Sequence, residues 1–274
     1  MATTAREIDT GTTQLLCAVR EGVATITLNR PEARNTMSTE LTPALRRMIK
    51  EMGEDDSVGA IVVTGAGKAF CAGGDVKGMG ENRRTTMTPE ERVVDLKWRQ
   101  QALTGALLAV PKPTIAALPG PAVGAGFALA LAADVRIAAR SAFVGTGYAR
   151  VGLSGDYGIA WLLTRQVGTG KARELMFTNA RVEAAEAERL GIVNRVVDDA
   201  ALADAAFAMA RDMAAGPRIA LRSMKENLDL AERAGYVEAA DREAELMIAG
   251  SQTEDHKEAV RAFVEKRAPV FAGR

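Results

Sequence analysis

The stretch Pro119-Gly120-Pro121-Ala122-Val123-Gly124-Ala125-Gly126-Phe127 lies between an apolar run at 113–118 and a run of small and apolar residues that ends at Ala133. The apolar run predicts a buried strand, and the proline and glycine residues after it predict a turn. Residues 123–133 are apolar or small on every side, which predicts a helix that is buried all round. A strand that enters a buried helix through a glycine-rich turn is typical of an α/β fold.

Strand and helix patterns alternate on both sides of this stretch. Strands are predicted at 15–20, 23–28, 59–64, 135–138 and 192–197, and helices at 39–52, 90–110, 156–167, 171–177 and 183–190. This alternation predicts an α/β fold with largely parallel strand pairing. From residue 201 the pattern is helical only, so we expect a core domain at 1–200 and a helical subdomain at 201–274.

Composition excludes several classes of function. The chain has 274 residues, of which 35 are basic and 35 acidic, so no overall field favours nucleic acid or an anionic membrane as a partner. No apolar run approaches the ~18 residues of a membrane span, and the polar residues 1–13 are not expected to act as a leader. Cys17 and Cys71 lie far apart, which favours a reducing cytoplasm over a disulfide framework. The lone histidine, His256, lies in a charged stretch, so neither a histidine-dependent triad nor a metal site is expected.

Two glycine-rich segments, 64–75 and 119–127, each follow a predicted strand, and neither fits a nucleotide motif. A P-loop would need glycine at Val62 and serine or threonine at Ala69, and a dinucleotide fingerprint would need glycine at Leu129. The first N–H groups of a helix have no internal partner, so the turn at 124–126 is suited to an anionic oxygen, with a second N–H from Gly74. The alternative is that the glycines only permit tight turns.

Several motifs, in the same order along the chain, resemble the crotonase (enoyl-CoA hydratase/isomerase) superfamily. They are the runs 29–35, 68–77, 119–126 with Asp134, 187–194 and 262–267. The resemblance covers nearly the whole chain. It implies a spiral of ββα repeats, a C-terminal helical trimerisation region, and assembly as trimers or dimers of trimers that act on an acyl-CoA thioester, with no cofactor beyond the coenzyme A moiety of the substrate.

The resemblance also implies roles for individual residues. The N–H groups of Gly74 and Ala125 become the two donors of an oxyanion hole, beside Gly124 in the substrate pocket. Coenzyme A is expected to lie along Ala33, Arg34, Ala72 and Lys77. Phe263 and Lys266 are expected to reach the ligand of a neighbouring subunit. Arg34 and Lys77 have a separate rationale, because cations neutralise the phosphates of coenzyme A, although both also suit a solvated surface.

The chain departs from the hydratase pattern at both catalytic glutamates. Ala128 and Tyr148 stand at those positions, and no acidic residue lies between Ser141 and Leu153. Asp156 stands where the resemblance places the acid of several isomerases and of a dehalogenase. Apolar neighbours, including Val151, Leu153, Ile159 and Trp161, are expected to raise its pKa. The alternative is that Asp156 is the N-cap of a helix beginning at Tyr157.

We therefore expect an enoyl-CoA isomerase that stabilises an enolate and moves a proton through the single acid Asp156. A 2-enoyl-CoA hydratase, nucleophilic attack by Asp156, and a noncatalytic acyl-CoA-binding protein remain as alternatives. Tyr148 is expected either to line the acyl pocket and donate a hydrogen bond or to pack in the core. Phe127 and Trp161 are expected in the core.

Overall fold

The computed structural model of the protein describes residues 5–74 and 87–274. These residues form ten strands: β1 (Arg6–Ile8), β2 (Leu15–Arg20), β3 (Val23–Leu28), β4 (Ala60–Gly65), β5 (Thr114–Leu118), β6 (Ala122–Val123), β7 (Val135–Ala139), β8 (Phe143–Gly145), β9 (Val182–Glu183) and β10 (Arg195–Val197). The helices are α1 (Leu41–Glu54), α2 (Pro89–Gln100), α3 (Ala106–Leu108), α4 (Ala125–Leu131), α5 (Ile159–Thr178), α6 (Ala184–Arg189), α7 (Leu202–Ala214), α8 (Arg218–Ala231), α9 (Tyr236–Ser251) and α10 (Glu254–Glu265).

The main layer is a seven-stranded sheet in the order β1-β2-β3-β4-β5-β7-β10. The first three strands pair antiparallel, and every later pair in this sheet is parallel. All five residues of β5 are buried, as expected for a parallel strand covered on both faces. Helix α1 packs against β2 and β3, and α7 packs against β3, β4, β5 and β7. This arrangement confirms the predicted α/β class.

A second layer brings the two glycine-rich segments together. Strands β6, β8 and β9 form a three-stranded sheet, in which β6 and β8 are parallel. Isolated bridges join Cys71 to Ala122 and Met37 to Gly74 in the same direction. Residues 71–74 therefore run beside the entrance to α4. The buried helix that the sequence predicted at 123–133 starts at this junction, and all seven of its residues are buried.

Some elements differ from the sequence prediction. The helix expected at 90–110 contains a π-helical turn at Gln101–Gly105 between α2 and α3. The strand expected at 192–197 begins only at Arg195, because Ile192 and Val193 donate their N–H groups to the Ala187 carbonyl and close the end of α6. The pattern also missed β1, β6, β8 and β9, which have only two or three residues each.

The C-terminal helices leave many large apolar side chains exposed. These are Met224, Leu228, Tyr236, Val237, Met247, Ile248, Val260, Phe263 and Val264. Helix α7 packs on the main sheet, so the core extends to Ala214, and the division at residue 200 stays a prediction. Within the described ranges, no helix combines the length and apolar character needed to cross a membrane.

Candidate functional site

The backbone before Gly74 lies against the start of α4. Met37 N donates to the Gly73 carbonyl at 2.9 Å, and Val123 N donates to the Cys71 carbonyl at 2.9 Å. A Cβ built on Gly73, whose φ is +90°, would come within 2.8 Å of the Val123 carbonyl oxygen and 3.5 Å of the Ala125 nitrogen. Only glycine allows the two segments to approach this closely. The approach brings the Gly74 segment beside Ala125.

The glycines on either side of Ala125 are required for different structural reasons. Gly124 has a φ of +57° and forms the turn into α4. Gly126 touches Cys71, because an added Cβ would lie 2.2 Å from the Cys71 carbonyl oxygen. Ala125 has neither a positive φ nor such a contact, and its side chain is buried. The alanine methyl group is therefore accommodated between two positions that require glycine.

The amides of Gly74 and Ala125 lie on the two adjacent segments. Ala125 is the first residue of α4, so its N–H has no carbonyl one turn earlier within the helix. Among residues 5–74 and 87–274, neither amide donates a hydrogen bond to a protein acceptor. A buried backbone donor such as Ala125 N is normally paired, so an unpaired one beside a second amide is the arrangement that an oxygen anion requires.

Asp156 is connected to this place through Tyr148. The Tyr148 hydroxyl donates a hydrogen bond of 2.6 Å to Oδ1 of Asp156. The tyrosine ring also reaches Gly124, because its Cζ lies 4.0 Å from a Cβ built on that glycine. Burial raises the pKa of Asp156, and the Tyr148 hydrogen bond opposes that rise. Burial also raises the pKa of Tyr148 well above its ordinary value, so the phenol stays protonated and remains a donor.

The turn that carries Asp156 excludes the capping alternative. Gly155, Tyr157 and Gly158 all have positive φ angles, and α5 begins only at Ile159 with Gly158 as its N-cap. The Asp156 carboxylate accepts from Tyr148 and does not cap the helix, so the capping alternative does not hold. Gln100, which the sequence analysis did not single out, supports this turn: its Oε1 accepts the Tyr157 N–H at 3.2 Å.

The surroundings of Asp156 differ from the sequence expectation. Its pKa is raised as predicted, but Val151, Leu153 and Trp161 are about half exposed and contribute little burial. The predicted core position of Trp161 was wrong, because this ring lies on the surface under the Arg165 guanidinium. Phe127 is buried in α4 as expected. Buried side chains near the acid belong to Tyr148, Tyr157 and Ile159.

A cleft of ≈ 820 Å³ opens beside the two glycine-rich segments, where Ala72 and Val123 line it; Tyr148 and Asp156 are not among its lining residues. Of the residues expected to contact coenzyme A, Arg34 and Ala72 line it, and the Ala72 N–H donates to the Arg34 carbonyl at 3.0 Å. The side chain of Asn35 ties the wall together, accepting from Arg30 N and donating to the carbonyls of Ala66 and Ala69.

Two cations of this cleft were missed by the sequence analysis. Lys68 and Arg181 line the same cleft as Arg34, and Arg181 lies over the Phe143 ring at 3.8 Å. Lys68 stands within the recognised run 68–77 and could have been singled out, whereas Arg181 enters the cleft only through the pairing of β8 with β9.

Other predicted residues lie apart from the cleft or beyond description. Ala33 is the last residue of the short helical turn at 31–33, next to Arg34. Phe263 and Lys266 lie at the end of α10, Phe263 is 86% exposed, and neither lines the cleft of its own chain. Lys77 lies outside the described residues. His256 is exposed on α10, as expected.

Comparisons with known proteins cover nearly the whole chain. The family model described as "Enoyl-CoA hydratase/isomerase" matches residues 18–274. The chain is 35% identical to 1,2-epoxyphenylacetyl-CoA isomerase of Escherichia coli (strain K12), with 95% of this chain and 98% of the relative covered. It is 36% identical to EchA12 of Mycobacterium tuberculosis (strain ATCC 25618 / H37Rv), named a probable enoyl-CoA hydratase, with 92% and 90% covered.

Solved structures with the same fold also cover nearly the whole chain. An enoyl-CoA hydratase of Mycobacterium smegmatis superposes with a TM-score of 0.86 at 34% identity, covering 95% of this chain and 99% of the other. An enoyl-CoA hydratase from Polaromonas sp. JS666 gives a TM-score of 0.88 at 31% identity, covering 94% and 99%.

Proposed function

Since the chain belongs to the enoyl-CoA hydratase/isomerase family, we propose that it shifts a carbon–carbon double bond in an enoyl-CoA thioester with Asp156 as the single proton carrier. Family membership confirms the crotonase resemblance and the crotonase-like fold. The relatives include both isomerase and hydratase names, so the choice between these activities rests on the residues of the site. The observation that carries the proposal is the partly buried carboxyl group of Asp156, which is hydrogen-bonded to Tyr148 beside the Gly124 turn.

The oxyanion hole would be formed by the Gly74 and Ala125 amides. Both are unpaired among the described residues and lie on adjacent segments, which supports their use as donors to the thioester carbonyl oxygen. When a proton leaves C2, negative charge gathers on that oxygen. Donors already aimed at it need no reorganisation, and each is worth roughly 3 to 4 kcal/mol when judged by its removal.

The proton transfer would proceed in two steps. The Asp156 carboxylate removes a proton from C2 of a 3-enoyl thioester, and the C–H electron pair becomes the conjugated enolate. The protonated Asp156 then returns the proton to C4, the double bond forms between C2 and C3, and the carboxylate is regenerated. A raised pKa suits this role, because a base poised closer to neutrality also acts as the acid that finishes the cycle.

Hydration is less well supported by the residues present. Addition of water needs a group to orient and deprotonate it and a second group to protonate carbon. The two positions where the hydratase glutamates are expected hold Ala128, which is fully buried in α4, and Tyr148, whose hydroxyl is engaged by Asp156. Among residues 5–74 and 87–274, the site therefore offers one carboxylate where hydration calls for two.

Coenzyme A would occupy the ≈ 820 Å³ cleft. Arg34 and Lys68 supply cations along it for the phosphates, as does Arg181, whose guanidinium also pairs with Glu183, and Ala72 would lie against the remainder of the moiety. Ala33, next to Arg34, is proposed from the resemblance alone. Lys77 is proposed as a further cation from the resemblance alone. Phe263 and Lys266 would complete the cleft of a neighbouring subunit.

Assembly would depend on the C-terminal helices. Tyr236, Phe263 and Val264 are between 73% and 87% exposed, and a cluster of large apolar side chains on one helical region is typical of a subunit interface. We expect a trimer or a dimer of trimers. Sedimentation velocity on the wild type and on Phe263→Glu tests this: dissociation of the variant to monomers supports it, and a monomeric wild type contradicts it.

Substrate turnover by matched variants separates the activities. Purified protein is incubated with 3-enoyl-CoA, 2-enoyl-CoA and 1,2-epoxyphenylacetyl-CoA thioesters, and each assay is repeated with Asp156→Asn. We expect isomerisation of the 3-enoyl thioester to fall by at least ~100-fold, within the range for loss of an acid–base group, while coenzyme A affinity is retained. An unchanged isomerisation rate rejects the proposal. Hydration that survives in the variant favours a hydratase with another base.

A further inference from the structure

The hydrogen bond between Tyr148 and Asp156 leaves the two oxygens of the carboxylate unequal. Oδ1 accepts the phenol at 2.6 Å, which is short for an O–H donor to a carboxylate and typical of a charge-assisted bond. Within residues 5–74 and 87–274, no second side chain or backbone amide donates to this carboxylate. Oδ2 is therefore the oxygen left to exchange a proton with a substrate.

The tyrosine is itself held firmly. Its side chain is only 7% exposed, and its ring lies between Gly124, before the proposed oxyanion amide, and Gly155, before the acid. A Cβ built on either glycine would stand 4.0 Å from a ring carbon of Tyr148. The Tyr148 carbonyl accepts the N–H groups of Val151 and Leu153. Both ends of the residue are thus fixed, so its hydroxyl is a rigid reference point for the carboxylate.

The backbone around Asp156 does little to restrict the rotamer of its side chain. Asp156 stands in a turn between Gly155 and Tyr157, both with positive φ angles, and outside the regular part of α5. An aspartate side chain on such a turn has several rotamers available, and holding one of them is a substantial part of a catalytic geometry.

From these contacts we propose that Tyr148 is the positioning residue of the proton shuttle, which holds Asp156 in one rotamer with Oδ2 facing the substrate. This inference rests on the proposed isomerase function and adds a role to a position where the sequence pattern of a hydratase would need a glutamate. Tyr148 acts through Asp156 and does not itself exchange a proton with the substrate.

The hydrogen bond has a defined effect on ionisation. Burial raises the pKa of Asp156, and the donated phenol lowers it by stabilising the charged form. Among the described residues, the other ionisable groups nearby are Tyr157, adjacent in sequence, and Arg46 of α1 and Arg99 of α2, which act on Tyr157. Loss of the Tyr148 hydroxyl alone should therefore raise the pKa of Asp156.

The test compares two tyrosine variants. Tyr148→Phe removes the hydroxyl and keeps the ring, and Tyr157→Phe removes a buried hydroxyl that lies one residue from Asp156 and does not contact its carboxylate. For Tyr148→Phe we expect kcat to fall about 10-fold or more, consistent with loss of one hydrogen bond to a charged group. The acid limb of the kcat/KM profile, which reports ionisation of the base, should move to higher pH. Tyr157→Phe should change neither quantity.

A second substitution reverses the sign without altering the packing. Site-specific 3-fluorotyrosine at position 148 makes the phenol a stronger donor, so the acid limb should move to lower pH. Transfer of deuterium from C2 to C4 of a 2-deuterated 3-enoyl thioester follows the shuttle directly, and its rate should fall in Tyr148→Phe to the same extent as kcat. Thermal melting and the Kd for coenzyme A establish that each variant is folded and binds.

The outcomes separate this inference from the function on which it rests. If Asp156→Asn abolishes isomerisation but the acid limb stays fixed in both position-148 variants, the positioning role is overturned and the shuttle stands. Should Asp156→Asn leave isomerisation intact, the proposed function itself fails. Should Tyr148→Phe prove unfolded, the fluorotyrosine profile decides alone, since an unmoved acid limb contradicts the inference.

Discussion

Gly73 and Val123 lie so close that a side chain on the glycine would collide with the Val123 carbonyl oxygen, two residues before the Ala125 amide. A Cβ on Gly73 would approach the Ala125 nitrogen to 3.5 Å and the Val123 carbonyl oxygen to 2.8 Å. The atoms that the added Cβ would meet belong to the backbone, so no flexible side chain can move to relieve the contact. The spacing of the two proposed oxyanion donors therefore depends on the absence of a Cβ at residue 73.

Gly73→Ala is expected to reduce kcat by about 100-fold, in line with the loss of one well-aligned oxyanion donor. The cleft cations are untouched, so the Kd for coenzyme A should stay within about twofold, well under the tenfold change that 1.4 kcal/mol would produce. Steady-state kinetics and calorimetric binding measure the two quantities. Gly152→Ala is the matched control, because Gly152 also has a positive φ, +70°, but no atom lies within 4 Å of an added Cβ. Equal losses of kcat in the two variants would point to general backbone strain.

The pH dependence of the free energy of unfolding should include a contribution from Asp156. Burial raises the pKa of this group in the folded state, so the folded chain binds more protons than the unfolded chain between the two pKa values. Stability contributed by Asp156 is therefore greatest below the unfolded pKa of about 3.9 and is lost as the pH rises through the folded pKa.

Asp156→Asn removes this titration, and its amide oxygen can still accept from Tyr148. We expect the free energy of unfolding of the variant, relative to that of the wild type, to increase as pH rises from acid to neutral. Urea denaturation at several pH values measures both. If the free energy of unfolding of the variant instead decreases relative to that of the wild type over this interval, the charged carboxylate is more stable in the fold than in water. That result would contradict the raised pKa.

Much of the architecture could be predicted from the sequence because the signals are local. The strands at 15–28, the strand at 60–65 and the helix after Gly124 are set by apolar periodicity and glycine turns. The second sheet could not be predicted, because strands of two or three residues carry no period. The same limit applies to the site: Arg181 reaches the cleft through strand pairing, and the orientation of Asp156 depends on a hydroxyl eight residues away across a turn.

The buried guanidinium of Arg136 supports the far end of the helix that carries Ala125. Its nitrogens donate to the carbonyls of Ala133 and Ile192 at 2.6 Å, to Leu131 at 3.4 Å and to the Gln166 side chain at 3.1 Å. Burial lowers the pKa of Arg136 to about 10, so the group remains charged at neutral pH.

Arg136→Lys keeps the buried charge but replaces a planar fork with a single ammonium, which cannot span acceptors on several elements. We expect about 2 to 3 kcal/mol less stability, because at least one buried carbonyl loses its partner. Arg140→Lys is the control: its pair with Asp198 is exposed and should contribute about 0.5 kcal/mol or less. Chemical denaturation of both variants checks the contrast, and similar losses would show that the fork geometry of Arg136 is not what matters.

The three cations of the cleft should govern affinity and leave the chemical step alone. Arg34→Gln, Lys68→Gln and Arg181→Gln each remove one charge that faces the ≈ 820 Å³ cleft, while the acid and the proposed oxyanion amides are unchanged. We expect the Kd for coenzyme A to rise about fivefold in each variant, since ~1 kcal/mol is typical of an exposed charged contact. The rise should diminish at high salt because such contacts are screened. Arg140→Gln, an exposed cation outside the cleft, should leave the Kd unchanged. A fall in kcat at saturating substrate with the Kd unaltered would place these residues at the reacting end of the ligand and contradict the proposed path of coenzyme A.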